Sequence, residues 1–220
     1  MMGSSGNLFE DIYPAAGTQE LIAQGAIVLR GFARAQDREL LAATETIAAE
    51  APFRHMTTPG GFVMSAAITS CGNAGWVTDR TGYRYTANDP DSGLPWPAMS
   101  KLMYDLAVRA AAAADFDHFA PDACLINCYE PGARMSLHQD RNERDLSAPV
   151  VSVSLGLPAT FLFGGNKRSD RPRRIRLEHG DVVVWGGPAR LAFHGITALA
   201  DGMHPLAGRR RINLTFRKVW

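Results

Sequence analysis

From residue 121 onward the chain consists almost entirely of short apolar runs broken by turn residues. "DACLINCYEPG", "MSLHQD", "VVSVSLGL", "ATFLFGG", "RRIRLEHG", "DVVVWGG", "RLAFHGI" and "RRINLTFRKVW" follow one another. Each is short, rich in β-branched or aromatic residues, and separated from the next by Gly, Pro or Asp. Eight such segments at close spacing predict an antiparallel sandwich or jelly roll.

The first 120 residues read differently. Residues 25–32, "GAIVLRGF", predict a strand. Residues 35–51 predict an amphipathic helix, with Leu40, Leu41, Thr44, Ile47, Ala48 and Ala51 near helical spacing and Pro52 as its stop. Residues 53–69 predict two strands around the turn Pro59-Gly60-Gly61, and 97–114 a second helix with Pro97 near its start. Between them, 71–97 is rich in Gly, Asn, Asp and Pro and reads as a loop carrying Trp76, Tyr83, Tyr85 and Trp96. The class is α+β, mainly β. No linker separates an α/β cover (about 1–120) from a β core (about 121–220), so residues 1–220 are expected to form a single domain.

No apolar run approaches the roughly 20 residues of a membrane helix, and the start "MMGSSGNLFEDIYP" does not read as a secretory signal. Three cysteines without paired spacing argue for a reducing compartment. The expectation is a cytoplasmic monomer. The net charge of +1 gives no global attraction to nucleic acid. Residues 166–176 and "GRRR" nonetheless form local basic stretches, suited either to a polyanion or to a solvated loop.

"SLHQD" carries the first chemical signal. In a strand, residues two apart share a face, so His138 and Asp140 project together. His179-Gly180-Asp181 has the same spacing, but its central Gly suggests a turn in which the side chains need not converge. A third ligand is expected from a later strand, and His194 in "LAFHGI" fits. Two His and one carboxylate suit Fe(II) with open coordination positions. Zinc hydrolysis, which needs one open position for water, remains the rival.

The last strand offers an anion site. In "RINLTFR", Arg211, Asn213, Thr215 and Arg217 share one parity and Ile212, Leu214 and Phe216 the other. Guanidinium groups grip carboxylates with paired hydrogen bonds. Asn127 and Tyr129 share a face in "INCY" and can orient a small dicarboxylate, while Ser152 and Ser154 leave room beside them. His-x-Asp, a distant His and a terminal Arg-x-Asn-x₃-Arg, in that order, make a fairly specific combination.

With these motifs, and with "PFRHMTTPGGFVMS", "WPAMS", "PVVSVSLGLPATFLFGG" and "LEHGDVVVWGG", the chain resembles the AlkB family of Fe(II)- and 2-oxoglutarate-dependent dioxygenases over most of its length. The resemblance implies a double-stranded β-helix, a jelly roll, under an N-terminal helix-and-hairpin nucleotide-recognition lid. It implies iron on His138, Asp140 and His194. It implies 2-oxoglutarate on Asn127, Tyr129, Arg211, Asn213 and Arg217, with Arg217 the candidate for the distal carboxylate. The implied reaction uses O₂ and releases succinate, CO₂ and formaldehyde while demethylating bases of the 1-methyladenine and 3-methylcytosine type. The implied substrate is single- or double-stranded DNA, with RNA as a further possibility.

By the same resemblance Trp76 stacks on a flipped base, Tyr83, Arg84 and Tyr85 touch the substrate backbone, and Arg168 is a basic substrate contact. "GNAGWVTD" favours an exposed Trp76. Two positions depart from the family pattern: Asn142 stands where an acid is expected near the base edge, and Asp79 where a His is expected. Competing readings are an oxygenase acting on RNA or a small molecule, and a cupin-like metal-binding module without turnover. The basic face of the last strand argues against the last of these.

Overall fold

Residues 15–220 are described by a computed structural model. All eight segments after residue 121 form strands. The elements run β1 (Gln19–Ala23), β2 (Ala26–Leu29), α1 (Asp37–Glu50), β3 (Ala67–Gly72), β4 (Gly75–Asp79), β5 (Gly82–Thr86) and α2 (Lys101–Ala112). There follow β6 (Ala123–Tyr129), β7 (Met135–His138), β8 (Val150–Gly156), β9 (Ala159–Phe163), β10 (Arg173–Leu177), β11 (Val182–Trp185), β12 (His194–Ile196) and β13 (Arg211–Arg217). A seven-stranded sheet has the order β1-β2-β11-β8-β13-β6-β3, a four-stranded sheet the order β10-β9-β12-β7, and β4-β5 pair only with each other. Every pairing is antiparallel. The two larger sheets face one another as a jelly roll.

Period-two alternation sorts side chains onto two sides of the large sheet. Ile212, Leu214 and Phe216 of β13, with Val151, Val153 and Leu155 of β8, pack in one cluster with Leu40, Ile47, Met103 and Leu106 of the helices. The opposite side packs against the small sheet, where Val183, Trp185, Phe161, Phe163, Ile175 and Leu177 form a second cluster. The helices therefore form a third layer, and the sandwich interior opens toward the polar residues of β13.

Several local expectations are corrected. Only Ala67–Gly72 of 53–69 is a regular strand; its first part makes isolated bridges, Arg54 to Ile68 and Thr57 to Val63. The turn is present, with the Gly61 N–H donating to the Thr58 carbonyl at 2.8 Å. The stretch 71–97 is not all loop, because it contains the β4–β5 hairpin. Pro97 lies outside α2, whose cap is Ser100, its hydroxyl accepting from the Met103 N–H at 3.3 Å. The large sheet also ignores the division near residue 121, since β1, β2 and β3 are among its strands. Among the described residues no helix is long and apolar enough to cross a membrane. The amino-terminal stretch read as lacking a secretory signal lies outside the described residues.

Phe216 is fully buried between the large sheet and the helices. Truncating it by Phe216→Ala is expected to cost about 3–5 kcal/mol through lost burial and the cavity left behind, read as a lower urea midpoint.

Candidate active site

His138 ends β7 and His194 begins β12, and the two are direct partners across the β7–β12 pair. Their ring centroids lie 4.4 Å apart. Asp140 follows two residues after His138, with Oδ1 3.8 Å from His138 Nε2 and Oδ2 3.8 Å from His194 Nε2. The three groups offer ligand atoms all within 4.8 Å of one another. Each imidazole is oriented from behind: His138 Nδ1 lies 2.9 Å from the Ser136 carbonyl and His194 Nδ1 3.0 Å from that of Ala192. Carbonyls accept only, so both Nδ1 atoms carry protons and both Nε2 lone pairs face Asp140. Burial, with the neighbouring His138, pushes the His194 pKa down to about 4. That ring is a neutral donor at neutral pH, so the donor set fits a divalent first-row ion.

Asp140 is buried, which alone would raise its pKa. The Arg217 guanidinium and then the two imidazoles outweigh burial and hold the carboxyl well below the usual range. Arg217 donates to Asp140 Oδ2 through Nε at 3.0 Å and Nη2 at 2.7 Å. It also lies 3.3 Å from Glu143 Oε1. Arg217, expected to take the distal carboxylate of a co-substrate, lines the cavity and faces two carboxylates of the protein itself. Charge explains the outcome, because a buried carboxylate beside two imidazoles needs a cation.

Arg211 has the opposite character. It is 1% exposed, and Nη2 donates to Ser154 Oγ at 3.0 Å. Its Nε and Nη1 have no hydrogen-bond partner, and no carboxylate pairs with it among the described residues. Burial lowers its pKa, and the Tyr129 ring, 5.2 Å from its guanidinium carbon, lies against it. Two orphaned donors on a buried cation are costly unless an anion completes them. Asn127, Tyr129, Arg211, Asn213 and Arg217 all line one cavity with His138 and His194. Asn213 is braced by Ser152 Oγ at 2.8 Å and the Val153 carbonyl at 2.9 Å, both accepting from its amide. Asn127 Oδ1 is buried without a partner. The cavity thus joins a three-ligand centre to a carboxylate receptor, which fits a chelating dicarboxylate.

The residues expected to touch a nucleic acid are not among those that line this cavity. Trp76 is half-buried rather than exposed, and stacks on Tyr83 with centroids 5.6 Å apart and an interplanar angle of 22°. Tyr83 is 49% exposed. Arg84 donates to Asp79 Oδ2 at 2.7 Å, and this bond with those from Thr81 holds the Asp79 carboxyl well below its usual range. The departure at Asp79 therefore engages the cation beside it. Tyr85, expected at the substrate backbone, donates its hydroxyl to Glu143 Oε1 at 2.6 Å. Asn142 is exposed. Arg168, also exposed, lies over the Phe193 ring at 5.8 Å, beside His194.

The rival pair His179 and Asp181 is structural. His179 Nδ1 accepts from the Gly156 N–H at 2.9 Å and Nε2 meets Asp37 at 2.9 Å, while Asp181 accepts from Arg30 at 2.8 Å. The sequence reading missed Glu143, Arg190, Met135, Phe161 and Trp185. Trp185 and Phe161 flank His194 at 4.9 and 6.0 Å between ring centroids. No local pattern marked Trp185, because "VVVW" is apolar and buried at every position. Met135 reaches the cavity through a bulge: three steps along β7, from His138 to Met135, oppose two along β12.

A family model described as the 2OG-Fe(II) oxygenase superfamily matches residues 25–217. The alpha-ketoglutarate-dependent dioxygenase AlkB of Escherichia coli (strain K12) is 54% identical over 213 residues, covering 97% of each chain. The tRNA demethylase abh1 of Schizosaccharomyces pombe is 32% identical over 157 residues, 66% of this chain and 52% of that protein. The solved structure of OsALKBH1 superposes with a TM-score of 0.80 at 26% identity, covering 91% of this chain and 100% of that one. With a metal-competent triad and a carboxylate receptor in one cavity, the chain is an Fe(II)- and 2-oxoglutarate-dependent dioxygenase that belongs to the 2OG-Fe(II) oxygenase superfamily and, within it, to the AlkB family.

Proposed function

We propose that this dioxygenase is an oxidative demethylase of N-alkylated bases, of the 1-methyladenine and 3-methylcytosine type, in DNA. The observation that carries the reading is the joining of the triad to the orphaned donors of Arg211, with a hairpin bearing stacked aromatics tied to the site through Tyr85, Glu143 and Arg217. The 54% identity to AlkB supports the same substrate class. The residues act as one catalytic domain over 1–220, with the β4–β5 hairpin as the lid.

His138, Asp140 and His194 would hold Fe(II). Arg211 takes the distal carboxylate of 2-oxoglutarate, and Asn127, Tyr129 and Asn213 orient the rest. Bound Fe(II) supplies the chemistry by which O₂ is reduced at the expense of 2-oxoglutarate, which becomes succinate and CO₂, and of an alkyl C–H bond, which becomes C–OH. An N–CH₂OH group sheds formaldehyde and leaves the unmodified base. A base inside a duplex cannot reach the cavity, so the target must leave the stack. Trp76 and Tyr83 offer a stacking surface worth about 1–3 kcal/mol per base, and Arg168 adds positive charge near the phosphates. Phe161 and Trp185 make the wall around His194 apolar and limit water there.

RNA is the second reading, favoured by the likeness to a tRNA demethylase. Single-stranded DNA and RNA oligonucleotides of one sequence, each carrying 1-methyladenine or 3-methylcytosine, separate the two. Formaldehyde is expected in step with succinate on the methylated DNA. Succinate release indifferent to every oligonucleotide would point to a small-molecule substrate instead.

Replacing Arg211 by Met removes two charge-assisted bonds and is expected to raise the KM for 2-oxoglutarate about 100-fold or more. Co(II) affinity, read by titration of the metal-free protein, should change little. At the base edge Asn142 can donate as well as accept, whereas an ionised Asp only accepts. Asn142→Asp is expected to reorder the turnover rates of methylated adenine and methylated cytosine in competition assays, and an unchanged order would remove this residue from lesion choice.

A further inference from the structure

Glu143 stands between Arg217, which holds the Asp140 carboxylate, and Arg190, which holds the Asp140 backbone carbonyl, and the lid touches it. Its Oε2 accepts from Arg190 Nη2 at 3.1 Å and its Oε1 lies 3.3 Å from Arg217 Nε. Arg217 binds the Asp140 carboxylate, while Arg190 Nη1 donates to the Asp140 carbonyl at 2.6 Å and Arg190 Nε to that of Ala148 at 2.9 Å. All four charged residues are more than nine-tenths buried, with exposures of 8% for Asp140, 7% for Glu143, 3% for Arg190 and 5% for Arg217. Two cations and two anions balance, so a further charge placed on Asp140 is felt through Arg217 at Glu143. Into this cluster reaches the Tyr85 hydroxyl, 2.6 Å from Glu143 Oε1.

Tyr85 lies on β5, whose partner β4 carries Trp76. The β4–β5 ribbon belongs to neither larger sheet. A two-stranded ribbon is marginal by itself, so its order depends on what it contacts. Trp96 Nε1 donates to the Thr86 carbonyl at 3.0 Å at one end, and the Thr78 N–H approaches Met56 Sδ at 3.4 Å. Neither bond leads toward the triad. The Tyr85 bond does, through Glu143 and Arg217 to Asp140.

We propose that Tyr85 and Glu143 are positioning residues that couple the order of the β4–β5 lid to occupancy of the metal site. A dication on Asp140 fixes that carboxylate, and with it Arg217 and Glu143. Tyr85 then meets an acceptor that is already ordered, and the lid holds its aromatics in place. Coupling of binding equilibria is reciprocal, so a base held by the lid stabilises the loaded metal site by the same factor. Iron and co-substrate would thereby favour base capture, and base capture would favour a loaded centre. The inference rests on the triad as the metal site and, for the identity of what the lid captures, on the proposed nucleic-acid substrate.

Hydrogen exchange read by mass spectrometry tests the coupling without any oligonucleotide, so failure of the substrate reading would show only in the demethylation assay. The full-length protein is compared metal-free and with Co(II) plus 2-oxoglutarate. In the wild type, ligands are expected to slow exchange of residues 75–86 about fivefold or more, a coupling within the usual range. In Tyr85→Phe the slowing should fall below about twofold, with Co(II) affinity weakened by a matching factor and exchange in α2 unchanged. Glu143→Gln, which keeps the shape but removes the charge, should lose the slowing as well. Slowing in Tyr85→Phe equal to that of the wild type would overturn the proposal, as would a wild-type hairpin indifferent to the ligands.

Discussion

The buried ion pair between Asp140 and Arg217 is the constraint around which the site is arranged. A carboxylate buried away from water is unstable as an anion unless a cation faces it, and breaking such a pair costs about 3–5 kcal/mol. β13 supplies that cation, with two bonds onto one carboxylate oxygen. Asp140 thereby stays ionised and aimed between His138 and His194, and the bond to Glu143 fixes Arg217 in turn. The same strand, six residues earlier, supplies Arg211 with two donors left open. One guanidinium is paired with Asp140, and the other keeps two buried donors without a protein partner.

β13 can do this because alternation gives it two independent faces. Ile212, Leu214 and Phe216 anchor it beneath the helices, while Arg211, Asn213, Thr215 and Arg217 face the cavity. Its neighbours β6 and β8 repeat the division, so the polar wall is backed by a fully apolar one. The wall is rigid because its side chains brace each other: Thr215 Oγ1 donates to Asn213 Oδ1 at 3.1 Å, and Asn213 holds Ser152. A site built on strands in this way keeps its geometry better than one built on loops.

Much of this was legible in the sequence for a physical reason. Period-two patterning is local, so the faces of β6, β8 and β13 could be read from neighbouring residues; the short His138–Asp140 spacing was visible too, although β7 ends at His138 and Asp140 lies just beyond the strand. What could not be read depends on where distant loops meet. Glu143 and Arg190 sit in irregular segments with no periodicity, and nothing local distinguishes them from surface charges; only the folded chain shows them buried together. The roles of Arg211 and Arg217 were also beyond the pattern, because both share one face and the choice depends on which carboxylate each one meets. The β4–β5 hairpin was hidden by its turn-rich surroundings, although "TDRTGY" carries a turn between alternating runs.

The most direct test is diffraction from crystals grown without oxygen in the presence of Fe(II) and 2-oxoglutarate. The account predicts one iron peak bonded to Nε2 of His138, Nε2 of His194 and a carboxylate oxygen of Asp140, with the distal carboxylate of 2-oxoglutarate on Nε and Nη1 of Arg211. Iron bound elsewhere, or that carboxylate on Arg217 with the Asp140 pair broken, would contradict it.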